Sequence, residues 1–155
     1  MKMSDDFYQE VADKFIFTVK KGLFYTENDV WTKIEDGEAQ IGVTDFLQRR
    51  SGDVTFVELP KKGSSIRREK EEIFSYETIK AIVSISSPLD GIITEVNTML
   101  KEKPELINED PYGEGWIAIV FPSHLEEDKR RLMTAEKYFE LMKSKIKDEK
   151  SKREA

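Results

Sequence analysis

Residues 30–43, VWTKIEDGEAQIGV, hold two runs of alternating apolar and polar side chains around Asp36-Gly37. A period of two turns one face of each run to a core and the other to solvent, and Asp-Gly accepts the positive φ angles of a two-residue hairpin turn. The chain keeps this punctuated style up to residue 122. VTFVEL closes at Pro60-Lys61-Lys62-Gly63, IITEV follows Ser87-Pro88-Leu89-Asp90-Gly91, and IAIVF follows the turn-rich INEDPYGEGW, where Gly113-Glu114-Gly115 reads as a turn before Trp116. Helix signals are fewer. Thr44 caps TDFLQRR, which turns at Ser51-Gly52; Asn97 caps a helical turn that Pro104 ends; Ser123 and Glu126 form a capping box; and TAEKYFELMKSKIKDEK has helical spacing. The expectation is a mainly β domain with peripheral helices and a C-terminal helix. Trp31, Phe56, Trp116 and Phe121 are expected to pack in or between its layers. Met133 and Met142 are assigned to the apolar side of the C-terminal helices, exposed His124 to their start, and the final KIKDEKSKREA to a frayed end.

Several classes of function fall away on composition. The net charge of -6 and pI near 5.0 offer no basic field for nucleic acid or an anionic membrane. No apolar run approaches the ~20 residues of a membrane span, and MKMSDDFYQE lacks the apolar core of a signal peptide, so the chain is expected in the cytoplasm. With no cysteine and one histidine, thiolate chemistry and Cys or His metal clusters are excluded. No nucleophile and base pair and no Gly-rich phosphate loop stand out, which argues against an enzyme. The opening MKM matches the signature of biotin carriers, but no strand precedes it and it reads as an initiator methionine.

One cation interrupts an apolar run: Lys80, in SYETIKAIVSISSP. GDVTFV at 52–57 and GIITEV at 91–96 share Gly, a β-branched third residue, Thr and Val in register, which suggests two related β halves. A hairpin from IFSYETI to IVSIS then lies between them with Lys80 at its exposed tip. Local pattern leaves two readings open. The lysine is a gatekeeper that keeps an apolar edge from pairing with other chains. Alternatively it is a covalent attachment point, where acylation removes the charge and leaves a long flexible stem that raises the effective concentration of a cargo at a partner's site. A docking protein with an unmodified Lys80 is a third possibility.

YETIKA resembles the E-S-V-K-A lipoylation hairpin of the glycine cleavage H proteins, with Glu77 three residues before Lys80 and Gly91 eleven after it. YTENDVW, EDGEAQIGVTDFLQ, GDVTFVELP, SSPLDGIITEVN, PELINEDPYGEGW and LMTAEKYF each match a family segment in the family's order, over roughly residues 25–142. The resemblance implies a flattened β-barrel sandwich of two quasi-equivalent halves and lipoate in amide linkage to Lys80. It implies Glu77 as an acidic recognition residue for the lipoate-attaching enzyme. It also implies a division into an N-terminal extension (1–24), a lipoyl-type β domain (25–122), C-terminal helices packed on it (123–150) and a tail (151–155). Such a carrier, expected to be monomeric, takes an aminomethyl group from glycine decarboxylase, presents it to the aminomethyltransferase and is reoxidised by lipoamide dehydrogenase.

The aminomethyl cargo is cationic at neutral pH, so a cleft that holds it should offer carboxylates. The family pattern supplies one from H-E-W and one four residues after the lysine. Here those positions are Val30, within Asp29-Val30-Trp31, and Ser84, so both acids are missing. Glu58 and Asp90 are candidate replacements; Asp29 is not, because neighbouring side chains on a strand face opposite ways. Glycine cleavage is the first expectation, since most of the length matches. A lipoate-binding carrier beside a heterodisulfide-reductase-like sulfur-oxidising complex is the second, since Asn28-Asp29-Val30-Trp31 is similar to the N-H-V-W type segment of those proteins.

Overall fold

A computed structural model describes residues 6–154; the MKM triplet lies outside them. Strands β1 (Phe7–Ala12) and β2 (Phe15–Lys20) form a hairpin of their own. A seven-stranded antiparallel sheet follows, in the order β12 (Met133–Thr134), β3 (Phe24–Tyr25), β4 (Val30–Glu35), β5 (Glu38–Val43), β11 (Ala118–Pro122), β10 (Gly91–Val96) and β7 (Ser65–Ile66). A three-stranded sheet, β6 (Phe56–Glu58), β8 (Glu72–Glu77) and β9 (Ile82–Ser86), closes over it. Helices α1 (Asp45–Ser51), α2 (Met99–Glu102), α3 (Leu106–Glu109), α4 (Leu125–Lys129) and α5 (Ala135–Glu154) lie in the connections and at the end. The result is a flattened sandwich.

The β4–β5 hairpin shows how the alternating runs build it. Asp36 and Gly37 both take positive φ, 51° and 78°, and Glu35 pairs with Glu38. That register sets Val30 opposite Val43, Thr32 opposite Ile41 and Ile34 opposite Ala39 on one face. Val30, Ala39, Ile41 and Val43 join Val57, Phe74, Tyr76, Ile85, Ile93 and Val120 in one apolar core fed by both sheets. Each large side chain so buried contributes on the order of 1.5–3 kcal/mol. Trp31 points the other way and is fully buried in a second cluster with Phe17, Val19, Tyr25, Phe46, Tyr138 and Met142. Its ring lies on Gly42, where a Cβ would stand 2.5 Å from the indole, and its Nε1 donates to the Pro111 carbonyl at 2.9 Å.

The second cluster binds the N-terminal hairpin and α5 to the sandwich. Tyr25 stacks on Tyr138 at 4.6 Å, and Tyr8 stacks on Phe139 at 5.2 Å. Residues 7–20 are thus a packed hairpin, and α5 runs on as helix to Glu154, where a frayed end was expected.

Thr44 caps α1 as expected, accepting from Leu47 N at 3.2 Å, and Gly52 ends it at φ 92°. Other local signals are overridden. Asn97 does not cap α2: its amide donates instead to the carbonyls of Glu114 (2.9 Å) and Trp116 (2.8 Å), and Thr98 takes the cap position without a side-chain bond. The Ser123–Glu126 capping box does not form; His124, exposed as expected, is the cap residue and gives no side-chain bond. Met133 lies in β12, opposite Tyr25, and not on a helix. Phe56 and Phe121 are each 57% exposed, so the layers of aromatics expected from the sequence reduce to Trp31 and half-buried Trp116. The two similar segments enter different sheets, β6 and β10, and their glycines do different work. Gly52 is needed for its positive φ, whereas a Cβ on Gly91 would overlap the Phe121 carbonyl oxygen where β10 meets β11.

Candidate functional site

Hairpin β8–β9 narrows to Glu77 opposite Ile82, and the four residues between make the turn. Thr78 N donates to the Ala81 carbonyl at 2.9 Å, and the Thr78 hydroxyl oxygen accepts from Lys80 N (3.2 Å) and Ala81 N (3.1 Å). A threonine at the turn's first position thus takes up the amides that an exposed loop would otherwise leave to water. The base below is rigid: Phe74, Tyr76 and Ile85 are in the core, Tyr76 OH lies 2.8 Å from Ser51 Oγ, and Thr55 N donates to the Glu77 carbonyl at 2.9 Å.

Lys80 stands exposed on this tip and takes part in none of the ion pairs among the described residues. Ile79, 95% exposed, and Ile82, 72% exposed, flank it. The edges of this sheet are β6 and β9, and Lys80 sits in the turn outside the ladder, on neither edge strand. An unpaired primary amine on a firm turn, beside bare apolar side chains, fits a residue that another protein must reach and acylate.

The other site residues expected from the sequence are dispersed. Glu77 is exposed at the end of β8, close to the turn. Gly91 begins β10 in the opposite sheet. Val30 is 1% exposed inside the core, whereas Ser84 is exposed on β9, so the structure does not gather them around one cleft. Neither candidate replacement acid stands by Lys80. Glu58 is exposed on β6, and Asp90 is engaged, its carboxylate accepting from Arg68 N at 2.6 Å.

Asp29 is buried at a positive φ of 69°, just before β4. Its carboxylate accepts from Tyr138 OH (2.7 Å) and Lys145 Nζ (2.9 Å), and Tyr138 OH also lies 3.0 Å from the Thr44 hydroxyl. Burial, and then the Asp29 charge, push the Tyr138 hydroxyl well above the usual tyrosine range, so it stays protonated and donates. This network ties α5 to the start of α1, and Asp29 is not free to meet a cargo.

What the sequence did not disclose is a cleft beside the lysine. Lys80 Cε reaches over the end of α1, 3.4 Å from where a Cβ on Gly52 would be. There it borders a hollow of about 310 Å³ whose apolar floor is Phe15, Phe17, Phe46 and Ile146. Charges at the rim are paired: Arg49 with Asp45 (3.1 Å), Arg50 with Glu149 (2.7 Å) and Arg153 with Asp13 (2.9 Å). The one available clue was the alternating FIFTVK at 15–20, whose partner α5 lies more than a hundred residues away.

The fold is a β sandwich with an exposed lysine, unpaired among the described residues, at the tip of a tight hairpin. The family profile described as "Glycine cleavage H-protein" matches residues 23–145. The chain is 43% identical to the probable glycine cleavage system H protein of Pyrococcus abyssi over 129 residues, 83% of this chain and 95% of that one. It is 41% identical over 121 residues to the glycine cleavage system H protein of Bacillus velezensis, covering 78% and 94%. The crystal structure of a glycine cleavage system H protein from Mycobacterium marinum superposes with a TM-score of 0.70 at 31% identity, covering 77% of this chain and 95% of that one. The chain belongs to the glycine cleavage H-protein family.

Proposed function

We propose that the chain is the lipoyl carrier of a glycine cleavage system, with lipoate attached through an amide to Lys80. The observation that carries this reading is the Thr78–Ala81 turn, which in a member of this family projects an unpaired lysine from a rigid base. The residues fit the group: acylation requires an accessible amine, and Lys80 is exposed and in no ion pair among the described residues. When attached, the lipoyl group would supply a disulfide, one sulfur of which takes up the aminomethyl carbon as the S–S bond is reduced, and which is left as a dithiol once the cargo has passed on. The chain's own residues hold the attachment point and present it. Thr78 fixes the tip, Tyr76 and Ser51 brace its base, and Glu77 with Ile79 and Ile82 offers the lipoate-attaching enzyme an acidic and apolar surface.

The chain itself is a carrier subunit. Its partners are glycine decarboxylase and the aminomethyltransferase, between which the aminomethyl group moves, and lipoamide dehydrogenase, which reoxidises the dithiol. We read it as a monomer in the cytoplasm; no helix among the described residues is long and apolar enough to cross a membrane. The relatives above are named for glycine cleavage, which leaves the sulfur-carrier reading without support. The test is lipoylation of the purified chain followed by peptide mapping. An adduct on Lys80, absent in Lys80→Arg, supports the reading, because guanidinium is not acylated in this way. An adduct on another lysine would overturn it.

A further inference from the structure

Strand β1 leaves an open edge. The hairpin it forms with β2 is a sheet of its own, and no third strand pairs with it among the described residues. The bonds of β2 decide which backbone groups that edge offers. Thr18 N donates to the Asp45 carboxylate at 2.9 Å, the Thr18 carbonyl accepts from Tyr112 OH at 2.7 Å, and the Lys20 carbonyl accepts from Tyr25 OH. These groups point away from β1, so Gln9 opposite Thr18 and Phe7 opposite Lys20 are pairs without mutual hydrogen bonds, and alternation adds Val11 opposite Ile16. The N–H and C=O of Phe7, Gln9 and Val11 therefore face outward on the free side of β1, and none of them has a partner among the described residues.

Edges of this kind are commonly blunted by proline, lysine or a bulge. FYQEVA has no proline or lysine, and its pairing with β2 runs without a shift of register. Gln9 is exposed, as is Val11 at 70%. Strand β1 also precedes residue 23, where the family match begins, so this edge is an addition to the matched fold.

Between β1 and α5 lies a hollow of about 550 Å³. Lys143, Lys147 and Lys150 stand along its α5 wall at helical spacing. Lys143 pairs with Glu140 at 3.0 Å and Arg153 with Asp13 at 2.9 Å. Lys147 and Lys150 are exposed and in none of the ion pairs among the described residues. Of the acids lining the hollow only half-buried Glu10 is likewise unpaired, which leaves the wall with surplus positive charge in a chain of net charge -6.

We infer that the β1 edge is a docking site for an extended acidic segment of another protein, which joins the hairpin as a third strand with its carboxylates over Lys147 and Lys150. Phe7, Gln9 and Val11 each offer such a strand one donor and one acceptor. Tyr8 stacks on Phe139, so alternate side chains of β1 face α5, and an added strand sets every second side chain on that same side. The hollow shares Ala12, Asp13, Ile146 and Arg153 with the one that Lys80 borders, so a protein held here has its bulk beside the attachment lysine. The docking itself does not require lipoylation.

The experiment uses the full unlipoylated chain and its amide proton–nitrogen NMR spectrum. The probe is a short capped peptide of alternating glutamate and threonine, and its counterpart carries lysine in place of glutamate. We expect the acidic peptide, titrated to millimolar concentration, to move the signals of Phe7, Gln9, Val11 and Lys147 saturably, and the lysine peptide to move them several-fold less. Val11→Pro removes an outward N–H and no bond of the β1–β2 ladder, so it should abolish the shifts while the spectrum elsewhere stays native. Should that variant disturb the hairpin, methylation of the acidic peptide's backbone nitrogens makes the same test, because it removes the strand's donors and keeps its charge. Lys147→Glu combined with Lys150→Glu should weaken binding of the acidic peptide several-fold. Shifts confined to the α5 lysines, with the β1 amides unmoved, would overturn strand addition, as would equal binding of the two peptides or no binding at all. A chain that shows twice its mass by light scattering without peptide, and a single mass as Val11→Pro, would assign the edge to a second copy and overturn the acidic occupant.

Discussion

Asp29 occupies the place beside Val30 where an acid for the cargo would be sought, yet its carboxylate is consumed by Tyr138 and Lys145. Its role is to keep two helices in register, and the residue that transmits this is Tyr138, whose hydroxyl meets both Asp29 and Thr44. Tyr138→Phe leaves a buried carboxylate with one donor fewer and should lower stability by about 1–3 kcal/mol, seen as a lower urea midpoint. An unchanged midpoint would show that the network contributes nothing. Gly42 makes a second single-residue demand, because a methyl group there stands 2.5 Å from the Trp31 ring. Gly42→Ala should cost about 1–3 kcal/mol through displacement of the indole and of its bond to Pro111, with Trp fluorescence reporting the shift. Both residues were visible in the sequence, but their roles were not, since each depends on a neighbour supplied by a distant segment.

At the scale of elements, the β4–β5 and β8–β9 hairpins and helix α1 were legible because their signals are local. Asp36-Gly37, Thr44 and the Lys80 turn each act on residues within a few positions, and each does in the structure what its chemistry dictates. Asn97 failed for a physical reason of the same kind: a cap is only one possible partner for a side-chain amide, and Asn97 finds two carbonyls across the fold. The β1–β2 hairpin escaped notice because its turn carries no glycine; Asp13 takes the positive φ of 55° instead. The Thr78 turn can be tested directly. Thr78→Ala removes the acceptor of two exposed amides, so global stability should fall by no more than about 1 kcal/mol. The initial rate of lipoyl adduct formation, followed by intact mass, should fall several-fold, because the tip loses its fixed shape. An undiminished rate would mean that the attaching enzyme reads only Lys80 and its flanking side chains.

At the scale of the whole molecule, four tyrosines, Tyr25, Tyr76, Tyr112 and Tyr138, have their hydroxyls raised above the usual range, chiefly by burial. Tyr76 is pushed up to about 12, against the partial offset of its bond to Ser51. A raised value in the folded state means that the unfolded chain loses its proton first. The stabilising contribution is full below pH 10, the ordinary tyrosine value, and is lost as pH rises through about 12. Alkaline titration of stability should therefore show a fall beginning near pH ~10, with a slope of about 1.4 kcal/mol per pH unit for each tyrosine that remains protonated. Tyr76→Phe should flatten that slope between pH ~10 and ~12; a slope unchanged by the substitution would contradict the assignment. The same long-range packing makes the cleft, which joins residues 13–17 to 146–153 and which no window of sequence contains. The central claim is that Lys80 carries an arm that is loaded from glycine. Its most direct measurement is the intact mass of the lipoylated chain before and after incubation with glycine and glycine decarboxylase. The account predicts a gain of one aminomethyl group, confined to the lipoyl adduct on Lys80 and absent from the unlipoylated chain. A lipoyl adduct that keeps its mass, beside a standard H protein that loads under the same conditions, would contradict it.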